Sequence, residues 1–180
     1  MPDGADRGRV LIAIARESLA ADPAPGPCEW NDDWLRERCA SFVTLRLEGE
    51  LRGCIGSVDA HRALGDDVAH NAHCAAHRDP RFPPVTASER DLLQVEVSVL
   101  SPRSRIPAAS EVDALAHLRP GIDGLVLQFK EFHATFLPQV WENIPNPLDF
   151  LSELRRKARL PARFWHSEME LSRYTVEKYR

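Results

Sequence analysis

The run Leu51-Arg52-Gly53-Cys54-Ile55-Gly56 sets a thiol two residues from a guanidinium, between glycines. A cysteine becomes a nucleophile when nearby positive charge favours its thiolate. Arg52 is the neighbouring source of such charge, and Cys54 and Arg52 are therefore the candidate catalytic residues. Gly53 and Gly56 lie inside a strand-like segment, where glycine is ordinarily unfavourable. They mark a bulge or the close approach of another backbone or a ligand, and are candidate binding positions. The alternative for Cys54 is a small apolar residue packed beneath a glycine-tight strand. The residues alone leave both readings open.

A second group follows at Asp79-Pro80-Arg81-Phe82-Pro83-Pro84. Residues before proline avoid the helical region, so this is a stiff loop carrying a carboxylate and a guanidinium. Asp79 and Arg81 either wall a site or pair locally and cap backbone groups. The arm at 51–56 and this loop are expected to meet as one wall of a polar cleft. His133 supplies an imidazole that could act as a general base.

Between them, Ala63–His77 reads as a helix with Leu64, Val68, Ala72, Ala75 and Ala76 on one side. His70, His73, Cys74 and His77 fall opposite. Two imidazoles and a thiol at this spacing can share a metal. Their position opposite the apolar stripe favours a face turned to solvent or an interface, with no metal assigned.

These groups need elements to hold them. Val43, Leu45 and Leu47 alternate with Thr44, Arg46 and Glu48, and Glu48-Gly49-Glu50 is a tight break. The pattern predicts a hairpin whose second arm contains Cys54, with Arg52 and Cys54 on one face by the two-residue period. Arg9–Ala20 is an expected first helix, and Ala21–Pro27, with three prolines and a glycine, a loop. A tryptophan pair, Trp30 and Trp34, follows, and Trp34 to Cys39 is an expected helical turn. Leu93–Val99 alternates as a half-buried strand. Ser110 can cap a helix at Glu111–Leu118, Gly124–Phe129 and His133–Phe136 pair as strands, and Asn146-Pro147 opens a helix. Leu148, Leu151, Leu154 and Ala158 form that helix's expected buried stripe, with Arg155, Arg156, Lys157, Arg159 and Arg163 as a basic cluster. Met169–Tyr179 is expected as one final strand. The fold class is α+β, a mixed or antiparallel sheet with flanking helices in a single domain over 1–180, with room for two lobes.

Composition narrows the function. With 23 basic and 27 acidic residues the net charge is −4, so no global basic field attracts nucleic acid. The longest apolar run, Val10–Ala15, is too short to span a bilayer. The four cysteines form no CxxC pair, and reduced thiols in the cytoplasm are expected. No CxxxCxxC set is present for an iron–sulfur cluster, and no cofactor is expected.

LRGCIG, Asn71-Ala72, Ala75-Ala76, the 79–84 loop, Asp123-Gly124-Leu125, Ala134–Val140 and Lys157-Ala158 before Leu160-Pro161 run in one order. Together they resemble the AMMECR-domain family, called AmmeMemoRadiSam system protein A in microbes. The chain departs at Arg155 and Arg159, where the family more often has Cys and Gly. The resemblance implies an α+β fold and a shared pathway with Memo-like and radical-SAM partners. It leaves two roles: a substrate-binding or catalytic cleft around LRGCIG, or a non-catalytic accessory or interaction module.

Overall fold

A computed structural model describes residues 4–21 and 24–180. The chain divides into two compact units, one up to Leu100 with Glu177–Arg180 added, the other Ser101–Val176. Both are α+β, each with one four-stranded antiparallel sheet.

In the first unit, helix α1 (Gly4–Leu19) and a short turn α2 (Asp33–Arg36) precede strands β1 (Ala40–Leu47) and β2 (Glu50–Gly56). Helices α3 (Leu64–His77) and α4 (Ala87–Arg90) follow, then β3 (Gln94–Leu100). The sheet order is β2-β1-β3-β8, the last strand being Val176–Tyr179. The hairpin turns at Glu48 and Gly49, both at positive φ (52° and 87°), the tight two-residue form that suits twisted antiparallel strands. Val43, Leu45, Val95, Val97 and Val99 supply the sheet's share of the core. Leu64, Val68, Ala72 and Ala75 of α3 and Leu11, Ile14 and Leu19 of α1 complete it. The loop expected at Ala21–Pro27 includes Asp22 and Pro23, which lie outside the described residues; Ala24–Pro27 has no regular structure.

The expectation for α3 is corrected here. His73 and Cys74 are buried, at 6% and 8% exposure, not solvated. The helix packs on β1 and β2 and also against α1, so both of its sides are covered. Its polar side meets α1: His77 Nε2 lies 3.0 Å from the Leu19 carbonyl, and the His73 and His77 rings stand 4.8 Å apart. Among the described residues no group of three or more His, Cys, Asp or Glu side chains could hold a metal. All four cysteines are free thiols.

The second unit contains β4 (Ser104–Arg105), α5 (Glu111–His117), β5 (Gly124–Phe129), β6 (Phe132–Phe136), α6 (Pro147–Lys157) and β7 (Glu170–Tyr174). Its sheet order is β4-β7-β5-β6. A 3-10 turn at Pro138–Glu142 seats Trp141, which stacks on Phe150 at 3.7 Å and donates its indole N–H to the Asp123 carbonyl at 2.7 Å. Ser110 and Asn146 cap α5 and α6 as predicted, each accepting from backbone N–H groups of the first turn. The single strand expected over Met169–Tyr179 is two strands in different sheets, broken at Thr175.

The stripe on α6 is also corrected. Leu148 is exposed and Phe150 is buried in its place against Trp141. Arg155 is no part of a surface cluster. It is fully buried, donating to Glu111 at 2.5 Å and to the Ala162 carbonyl at 2.8 Å, with its guanidinium over Trp165. Arg159 ends the helix at φ 62°, the left-handed position that a glycine occupies without strain. Arg159→Gly is expected to stabilise this unit by about 1 kcal/mol or less, read as a higher urea midpoint. An unchanged or lower midpoint would show that the Arg159 side chain compensates for its backbone.

Candidate functional site

The register of β1 on β2 shifts between Leu45 and Arg46: Leu45 faces Gly53, and Arg46 faces Leu51. Arg52 is thus the extra residue of a β-bulge. A bulge breaks the two-residue alternation, so the expected sharing of one face by Arg52 and Cys54 does not follow. The side chains go to different partners. Cys54 Sγ lies 3.4 Å from Thr44 Oγ1, its cross-strand neighbour. The Arg52 guanidinium donates to both Glu89 oxygens (2.8 and 3.2 Å) and to the carbonyls of Pro83 (2.8 Å) and Pro84 (3.3 Å).

The arm and the 79–84 loop do meet, through the backbone of Cys54. Strand β2 is an edge strand, so its outward N–H and C=O groups need partners other than a neighbouring strand. Asp79 Oδ2 accepts the Cys54 N–H at 2.9 Å, and Arg81 Nη2 donates to the Cys54 carbonyl at 3.1 Å. Asp79 and Arg81 in turn form a two-pronged ion pair, Nε to Oδ1 at 2.9 Å and Nη2 to Oδ2 at 2.6 Å. The pair therefore acts as a side-chain surrogate for the missing strand. Prolines 83 and 84 have no N–H to anchor the loop, and their carbonyls are held by Arg52 instead. Glu89 closes the clamp by accepting the N–H and hydroxyl of Thr86 at 2.7 and 2.8 Å, and Val85 N–H reaches the Ala76 carbonyl of α3 at 2.8 Å.

Gly53 is explained by α3. A Cβ there would lie 2.2 Å from the Ala75 carbonyl oxygen, so the helix backbone occupies the space a side chain would need. Gly56 is covered by the Phe42 ring, with atoms at 2.2 Å from a Cβ. Both glycines are thus accounted for by close packing. His133 lies exposed on β6 in the second unit, paired in register with Gln128.

One polar cluster has almost no signature in the sequence. Asp67 is completely buried and accepts from Ser41 N–H (2.9 Å), Ser41 Oγ (2.7 Å), Asn71 Nδ2 (2.9 Å), Ser57 Oγ (2.8 Å) and Arg62 Nη1 (3.1 Å). It ties α3 to the start of β1 and the end of β2. Asn71, one turn further along the same helix, is its only sequence trace.

The ionisation pattern follows these contacts. Hydrogen bonding to Arg81 holds the Asp79 carboxyl well below the usual carboxylate range. Bonding to Arg52 brings Glu89 down to about 2. Burial pushes the Cys39 and Cys74 thiols up and the His73 imidazole below its ordinary 6.5. For each lowered group the unfolded chain takes up a proton first, so stability falls as pH falls. Urea midpoints are expected to be level between about pH 7 and 8, and to fall above about 8.5, where the unfolded chain gives up the protons of Cys39 and Cys74 before the folded one does. They should decline gently below about 6.5 as the unfolded His73 gains its proton, and steeply below about 4.5 as Asp79 and Glu89 lose their clamp. A midpoint that rises between pH 7 and pH 4 contradicts this.

The chain matches the AMMECR1 family over residues 12–179. A protein of Methanothermobacter thermautotrophicus is 36% identical to it over 98% of this chain and 95% of its own length. One from Thermotoga maritima is 33% identical over 83% of this chain and 82% of its own. Among solved structures, that of an uncharacterised protein from Pyrococcus horikoshii superposes with a TM-score of 0.82, at 32% identity, covering 96% of this chain and 90% of that one. Family coverage, relatives matched over most of their length and a shared fold agree: the chain belongs to the AMMECR1 family.

Proposed function

We infer that this chain is a substrate-holding accessory protein of a modification system, and that it performs no nucleophilic chemistry at Cys54. The observation that carries this is the commitment of the charged side chains that hold the motif to its loop, Arg52, Glu89, Asp79 and Arg81. Arg52 is saturated by Glu89 and two carbonyls, and Arg81 and Asp79 by each other and by the Cys54 backbone. A thiol nucleophile requires a cation or base given over to its sulfur; Arg81 is the one that also reaches the Cys54 side chain, and its guanidinium is already held by Asp79 and the Cys54 carbonyl. The motif's sequence specificity then reflects a glycine-tight, clamped edge strand that fixes one sheet face, with Cys54 and Thr44 half-buried upon it. The Memo-like and radical-SAM partners implied by the motif resemblance supply the chemistry, and this chain presents their substrate. No helix among the described residues is long and apolar enough to cross a membrane, which suits a role beside such partners.

The test is complementation. In a host lacking this gene, Cys54→Ala is expected to restore the metabolite profile, read by mass spectrometry, within about threefold of the wild-type gene. A null profile from Cys54→Ala protein that accumulates normally would return Cys54 to a catalytic role.

A further inference from the structure

Two surface hollows in the first unit are lined with arginine, and their charge balance separates them. One, of about 510 Å³, includes Arg36, Arg38, Arg62 and Asp66. There Asp33 pairs with Arg36 and Asp67 with Arg62, and a third carboxylate, Asp66, held by the Cys28 N–H and the Trp30 indole, shares the lining with Arg38. Its field is balanced.

The other, of about 530 Å³, is lined by Arg16, Arg46, Gln94, Glu96 and Arg180, among others. Among the described residues Glu96 is the only carboxylate of its lining, and it is already taken by Arg180 at 2.6 Å and Lys178 at 3.7 Å. Arg16 and Arg46 have no acidic partner among the described residues. Each spends one nitrogen on a backbone carbonyl, Leu93 at 3.1 Å and Gly49 at 3.0 Å respectively. A carbonyl orients a guanidinium without neutralising it, and leaves other N–H donors free. Among the described residues two of the three lining arginines thus have no carboxylate partner, a surplus that matches a dianion. Its volume lies within the ~300–1,000 Å³ of small-ligand sites.

The hollow also adjoins the Cys54 face. Thr44 is register partner to both Cys54 and Glu96. Arg46 follows Thr44 by two residues on the same strand, about 7 Å away on the same face. One row across the sheet therefore runs Cys54, Thr44, Glu96, with Arg46 and Gln94 in the next row.

We propose that this hollow binds the phosphate group of a small phosphorylated substrate, with Arg46 and Arg16 as the anion-holding pair and the rest of the molecule laid toward Thr44 and Cys54. It rests on the reading of that face as a substrate-holding surface and names the substrate's chemical class. Guanidinium forks suit phosphate oxygens, and two unpaired forks suit a doubly charged group better than a single carboxylate.

Calorimetric titration of the full chain with inorganic pyrophosphate at low salt tests it, with malonate as the dicarboxylate comparator. Saturable binding of one pyrophosphate at about 1 mM or tighter is expected, with malonate at least about fivefold weaker. Arg46→Ala should weaken pyrophosphate about fivefold or more, and Arg16→Ala with Arg46→Ala should abolish it. Arg38→Ala, in the balanced hollow, should bind as wild type. Both arginines are exposed, and an unchanged circular dichroism spectrum confirms each variant's fold. No saturation in the wild type, equal binding of malonate, no effect of Arg46→Ala, or an equal loss in Arg38→Ala each overturns the proposal. The complementation result for Cys54→Ala is independent of all four, so failure here leaves the accessory role standing.

Discussion

Asp79→Ala is expected to destabilise the first unit by about 2–4 kcal/mol, among the largest effects of any single polar substitution in it. Asp79 is 4% exposed and accepts from the Cys54 N–H, the Arg81 N–H and two Arg81 guanidinium nitrogens. Truncation leaves the β2 edge without its acceptor and Arg81 without its counter-charge. Arg81 is half in solvent, so water replaces much of what it loses; most of the destabilisation comes from the Cys54 N–H, left without an acceptor. Amide hydrogen exchange should localise the effect, with protection at Cys54 lost before that at Val97 in the centre of the sheet. Asp79→Asn separates charge from shape. It retains an acceptor oxygen for one donor and should cost about half as much. If both variants keep the wild-type urea midpoint, the edge is held by something else and the clamp is ornamental.

Gly53→Ala is expected to be at least as costly, about 3 kcal/mol or more, though it adds one methyl group. The added Cβ meets the Ala75 carbonyl at 2.2 Å, and that oxygen belongs to the helix backbone, which cannot rotate aside. Relief requires α3 to lift from β2, opening the contact of Ala75, Ala72 and Val43. Gly56→Ala is the informative comparison. Its Cβ would also fall 2.2 Å from its neighbours, but these are Cγ and Cδ1 of the half-buried Phe42 side chain, which can swing about χ1 where a helix backbone cannot. About 1 kcal/mol is expected there. Thermal or urea midpoints that place Gly56→Ala below Gly53→Ala would reverse this assignment of rigid and yielding neighbours.

Much of the fold is visible in local signals because those signals are local. The hairpin turn needs positive φ at Glu48 and Gly49, Asn146 and Ser110 cap the turns they precede, and alternation marks β1 and β3. What periodicity cannot carry is the identity of the layer on the far side of an element. The sheet-facing stripe of α3 is readable, but His73 and Cys74 are buried as well, and nothing in α3 states that α1 packs on it as a second layer. Arg155 presents the same difficulty with its sign reversed. A guanidinium reads as solvated unless its partner is known, and Glu111 is 44 residues away. The site follows the same rule. Glycines 53 and 56 signal close approach, and the approach is real, but the approaching groups are Ala75 and Phe42. The bulge at Arg52 shifts register by one residue and sends the guanidinium to Glu89, a change that no alternating pattern encodes.

Whether Arg52, Asp79 and Arg81 hold a loop or activate a thiol is decided most directly by the alkylation rate of Cys54 in the folded protein. The rate is read by peptide mass spectrometry in wild type and Arg52→Ala at one pH. Cys28, exposed, reports reagent activity, and Cys74, buried, reports global unfolding. A clamp releases the edge when Arg52 is removed, so the Cys54 rate is expected to stay level or rise severalfold while Cys74 remains protected. A tenfold fall in the Cys54 rate, with Cys28 and Cys74 unchanged, would show that Arg52 acts on the sulfur and would contradict the clamp.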